Sequence, residues 1–176
     1  MPVMHDLKRK FLKLPRAIEI RYALIVVLFT FLWWIFEYLL GVHDIYIRYN
    51  LVFSILGLSV IGAGIMLSIW SRREDRFTGL SFSEAFKSGM IVTLIVVIFT
   101  PLVQFFFHTV INPEYLPNLI ERSVNLAYEY GRSAHKAREL GISLFTVANM
   151  MWIVPLGYLI SGAAFSAVGA YLFRTT

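Results

Sequence analysis

YALIVVLFTFLWWIFEYLLG, residues 22–41, decides the fold. Its only charged residue is Glu37, and the rest is aliphatic or aromatic apart from Thr30 and Gly41. An α-helix rises about 1.5 Å per residue, so about 20 apolar residues cross a hydrocarbon layer about 30 Å thick. Three further stretches read the same way: 51–70, 90–109 and 144–173. The last is longer and must tilt or protrude. The chain is therefore expected to be an all-α membrane protein, a bundle of four transmembrane helices.

Composition agrees. Of 176 residues, 58% are hydrophobic and only 15% charged. A soluble domain would be about 45–50% apolar and about 25% charged. Four spans leave no room for a separate soluble catalytic domain. There is no cysteine, which excludes disulfides, thiolate metal sites and cysteine nucleophiles.

The net charge of +5 is placed by topology. Lys8, Arg9, Lys10, Lys13, Arg16 and Arg21 precede the first span. Arg72, Arg73, Arg76 and Lys87 lie between the second and third, and Arg174 follows the fourth. The opposite loops hold Arg48, Arg122, Arg132, Lys136 and Arg138, four of them accompanied by Glu114, Glu121, Glu129 and Glu139. The positive-inside rule then places both termini in the cytoplasm. Residues 1–20 read as a basic interfacial segment on the cytoplasmic leaflet, ahead of a single transmembrane domain over 21–173. The cluster Arg72, Arg73 and Arg76 reads as a solvated cytoplasmic loop. The leader lacks a cleavage site and its apolar run exceeds a signal peptide's, so the first span is expected to remain.

Ser81 and Glu84 have capping-box spacing and predict a helix start near Phe82. After Asn112-Pro113, the residues Leu116, Leu119, Ile120, Val124 and Ala127 recur at helical spacing. They predict an amphipathic outer helix over about 114–130, ended by Gly131. Ser133 is placed to cap a second short helix reaching Leu140, and Gly141 to precede the fourth span.

Small residues form stripes on two spans: Ser54, Gly57, Gly64 and Ser68 on the second, and Gly162, Ser166 and Ala170 on the fourth. Gly62 lies off the first stripe. Such stripes let helices approach closely in lipid. One is expected to serve internal packing and the other to meet a partner.

Glu37, Gln104, His108 and Asn149 fall at similar depth in the outer third of the membrane, on helices one, three and four. An ionisable group inside a span is a functional suspect. Convergence of these four side chains would create a polar pocket for protons, a cation or a headgroup; the alternative is ordinary interhelical hydrogen bonding. His43 and Asp44 with His108 match no metal-site spacing, so no metal centre is expected. Nucleotide loops, serine elbows and zincin helices are absent from the sequence, and no cofactor is expected.

The opening span from Tyr22, the Gly57–Gly64 region, the entry Leu80-Ser81-Phe82-Ser83-Glu84-Ala85-Phe86-Lys87-Ser88-Gly89 and the start Asn112-Pro113-Glu114-Tyr115 together resemble a family of small four-span bacterial proteins. That family is a domain of unknown function common in Bacteroidota, and the resemblance covers roughly 18–173. It implies the inner membrane of a Gram-negative cell and supplies no catalytic residue. The function expected is that of a non-enzymatic accessory or scaffold subunit working through helix–helix contacts. Its expected partners are membrane lipids and another membrane protein or a second copy, with no nucleic acid. The alternative is a small transporter or a lipid- or solute-binding protein that uses the outer polar cluster.

Overall fold

The computed structural model describes residues 16–75 and 79–175. The basic residues Lys8, Arg9, Lys10, Lys13 and Arg76 lie outside the described residues. In chain order the helices are α1 (Ala17–Leu39), α2 (Asn50–Glu74), α3 (Phe82–Phe106), α4 (Tyr115–Glu129), α5 (Ala134–Leu144) and α6 (Val147–Phe173). A 3-10 turn, Ile47–Tyr49, leads into α2, and a π turn, Phe107–Ile111, extends α3. No strand occurs among the described residues. Four segments are long and apolar enough to cross a membrane: Ala17–Leu39, Ile47–Glu74, Phe82–Ile111 and Val147–Phe173. Helices satisfy their own backbone groups, which lipid requires. The chain is an all-α, multi-pass membrane protein.

α2 and α3 each touch all three other long helices, while α1 and α6 take opposite corners. The dry centre is built from Ala23 and Val26 of α1, Ile61, Ile65 and Ile69 of α2, Val92 and Val96 of α3 and Ala170 of α6. Leu28, Phe29, Ile98, Leu102, Leu156 and Ile160 point outward and are exposed. On a soluble protein so much apolar surface would drive aggregation, and here it matches lipid.

Local chemistry sets the helix ends. The Ser81 hydroxyl accepts from the Glu84 N–H and the Glu84 carboxylate accepts from the Ser81 N–H, so the predicted capping box starts α3. Gly131, at φ +63, ends α4's turn, and Ser133 caps α5. The predicted break at Gly141 is not there. α5 runs on to Leu144, and Gly141 is buried where an added Cβ would stand 3.2 Å from Ile120. This glycine is a contact point between α4 and α5. α6 starts later than the sequence pattern predicts, at Val147, because the Thr146 hydroxyl caps it.

Apart from Ser54, which is exposed, both small-residue stripes face their own bundle. Gly64 packs on Val26, and Ser68, Ser166 and Ala170 are fully buried. Gly162 packs on Thr93, and Gly89 receives Ser166. Gly62 is also an inner residue, with Phe165 against it, so α2 presents small residues to α1 and α6 alike. Packing on two neighbours spreads the small residues wider than one stripe.

Candidate functional site

Two polar clusters sit at opposite ends of the bundle. The first begins with Glu37, near the C-terminal end of α1 and 3% exposed. The Trp33 indole N–H, one turn earlier, donates to Glu37 Oε1 at 2.6 Å. α1 closes on Gly41, whose φ of +73 permits the reversal. The Gly41 N–H bonds the Tyr38 carbonyl and the Val42 N–H the Glu37 carbonyl, both at 3.0 Å, which is the Schellman pattern. This turn folds His43 back onto its own helix, with Nε2 3.0 Å from Glu37 Oε2.

The His43 ring is held from outside the helix. The Asn112 amide nitrogen lies 3.1 Å from Nδ1, and the Asn118 side chain donates to the His43 carbonyl at 3.0 Å. With the amide nitrogen facing Nδ1, that atom accepts and Nε2 carries the proton given to Glu37. Both carboxylate oxygens of Glu37 thus accept hydrogen bonds.

The π turn after α3 buries Phe107 and His108 side by side. His108 Nε2 lies 2.6 Å from Gln104 Oε1, so Nε2 donates and Nδ1 is left as an acceptor. Tyr115, at the start of α4, stacks on His108 at 5.4 Å between centroids and lies 4.1 Å from His43. Its hydroxyl pairs with the Asn50 side chain. Burial pushes the Tyr115 hydroxyl up to about 12.

Beneath these groups lies a cavity of about 300 Å³. Glu37, His43, Gln104, His108 and Tyr115 form its polar end. Trp33, Trp34, Phe107 and Tyr158 are its aromatic walls, and Gly57 and Gly157 leave it room. Thr30 and His108 line this space, and their Oγ1 and Nδ1 atoms are buried with no hydrogen-bond partner among the described residues.

Three of the four residues predicted to converge do so: Glu37, Gln104 and His108. Asn149 does not. Its side chain donates to the carbonyls of Ser143 and Leu144, because it sits in the first turn of α6, where α5's last carbonyls need partners. His43, Tyr115 and Asn112 belong to the cluster. Asn112 and Tyr115 gave no periodic signal, since a turn and a loop bring them in. Asp44 is exposed, and no group of three His, Asp or Glu side chains that could hold a metal ion occurs among the described residues.

The second cluster corrects the reading of Arg72 as part of a solvated loop. α2 continues through Arg73 to Glu74, and the Arg72 side chain is only 15% exposed. Its Nε donates to Glu19 Oε1 at 2.9 Å and its Nη2 to Oε2. Ser88 of α3 donates to the same carboxylate at 2.8 Å. Glu19 is fully buried, so α1, α2 and α3 are tied together at this end. The sequence signal was an isolated acid among basic residues at the edge of a span. Arg73 is exposed.

The family described as "Protein of unknown function (DUF4199)" matches residues 21–175, and the chain belongs to it. No curated protein and no solved structure matches the chain.

Proposed function

We propose that this member of a family without an assigned activity is a membrane-embedded, non-enzymatic binding protein that holds a small amphipathic molecule. The observation that carries this reading is the cavity itself. It has about 300 Å³, apolar and aromatic walls, and a polar end formed by Glu37, His43, Gln104, His108 and Tyr115. Ligand sites are typically of this kind, about 300–1,000 Å³ with a few convergent polar groups.

The asymmetry of basic residues supports an inner-membrane protein with both termini cytoplasmic, which places the cavity in the outer half of the bilayer. Below the cavity the packing of Val26, Ile61, Ile65, Val92 and Val96, and then the Glu19–Arg72 pair, favours holding over passage. An accessory subunit that uses a small-residue stripe has less support, because both stripes apart from Ser54 are engaged inside the chain.

The test uses Trp33 and Trp34, which line the cavity, in a background carrying Trp70→Phe and Trp152→Phe. Protein in zwitterionic nanodiscs is titrated with dodecanol. The expected result is a saturable change in tryptophan emission that Gly157→Phe removes, since a Cβ at Gly157 meets nothing within 4 Å and a phenyl group can enter the space. A linear, non-saturable response, or one unchanged by Gly157→Phe, refutes the proposal.

A further inference from the structure

Resting on that binding reading, we infer that the cavity selects a cationic amphiphile, an alkylammonium head on an apolar tail. The charge inventory comes first. Glu37 is the one carboxylate lining the cavity, and neither Lys nor Arg lines it. An anionic head would meet Glu37 with no counter-charge, in a setting where like charges are costly.

The protonation pattern comes second. Glu37 accepts at both oxygens, from Trp33 and His43, which suits a carboxylate; a carboxylic acid would have to donate from one of them. The Asn112 amide nitrogen faces His43 Nδ1, and neither Lys nor Arg stands beside Glu37 in the cavity lining. A carboxylate has about four lone-pair sites and two are used, so it can accept more N–H bonds.

The polar end offers acceptors rather than cations: His108 Nε2 is taken by Gln104, which leaves its Nδ1 as an acceptor. An ammonium brings three donors and no acceptor. The aromatic walls add cation–π attraction, strongest over tryptophan. Each feature is common alone. Together they give a carboxylate with no Lys or Arg beside it and π faces around one cavity.

The experiment compares dodecylamine, dodecanol and dodecanoate, which share a tail, in the same tryptophan assay and zwitterionic nanodiscs. Dodecylamine should bind about tenfold more tightly than dodecanol, with dodecanoate weakest. Glu37→Gln keeps the shape of the side chain and should bring amine and alcohol to within about twofold of each other. Equal wild-type affinities for amine and alcohol, or a preference that survives Glu37→Gln, overturn the cation assignment while leaving the binding reading standing. If none of the three binds saturably, the binding reading falls and takes this inference with it. The wild-type comparison needs no variant, so misfolding of Glu37→Gln cannot leave the proposal undecided.

Discussion

Arg72→Met keeps most of the side chain's length and removes its charge, leaving the Glu19 carboxylate without its guanidinium. Glu19 is fully buried and accepts two bonds from Arg72 and one from Ser88. Breaking a buried pair by removing one partner costs about 3–5 kcal/mol, because an uncompensated charge stays in a low-dielectric interior. Three features favour the lower end of that range. The Arg72 side chain is 15% exposed, so water reaches the pair, Ser88 remains as a donor, and Arg16 Nη1 stays 3.7 Å from Glu19 Oε1. The expected cost is about 3 kcal/mol. Replacing both partners, as Glu19→Met with Arg72→Met, should recover most of it, since exchanging a buried pair for apolar side chains is often neutral. The Ser88 hydroxyl then loses its acceptor, which leaves about 1 kcal/mol of damage. SDS titration of the purified protein in maltoside micelles, followed by circular dichroism, measures all three proteins. The double variant should be more stable than Arg72→Met by about 2 kcal/mol. A double variant no more stable than the single one refutes the reasoning, because the stranded carboxylate would then not be the source of the loss.

Three further predictions use other sites. In the same titration Gly157→Ala should stabilise by about 0.5–1 kcal/mol, since Ala suits a helix interior better and the new methyl meets open space. Gly162→Ala should destabilise by about 1–3 kcal/mol, since its methyl would overlap Thr93, whose hydroxyl is bonded to the Gly89 carbonyl. The Tyr115 hydroxyl is raised from about 10 to about 12, so the folded state holds this proton longer than the unfolded chain does. Its contribution is fully present below about pH 10 and is lost as pH rises toward 12, at up to about 1.4 kcal/mol per pH unit. Stability measured across that window should fall less steeply in Tyr115→Phe than in the wild type.

The readable parts of this protein are those governed by local rules. The spans follow from apolar length, the start of α3 from Ser81 and Glu84, and the amphipathic α4 from its helical spacing. Even Gln104 and His108 were legible as a pair, since side chains four apart on a helix share a face. The readings that changed involve competition between partners. Asn149 had the right depth for the cavity, but nearby carbonyls of α5 took its amide. Arg72 had the composition of a solvated loop, but a carboxylate 53 residues away took its guanidinium.

The sequence by itself determined that the chain crosses a membrane four times as helices, because in lipid each segment must satisfy its own backbone hydrogen bonds and needs only sufficient apolar length. Only the tertiary structure decided which polar groups meet. Helical periodicity places a side chain on a face but does not choose the neighbour that face will touch. Glu37 gained His43 through the turn at Gly41, and His108 gained Tyr115 through the π turn and the approach of α4. Those meetings depend on how helices lie against one another, which is settled by small-residue contacts such as Gly64 with Val26 and Gly162 with Thr93.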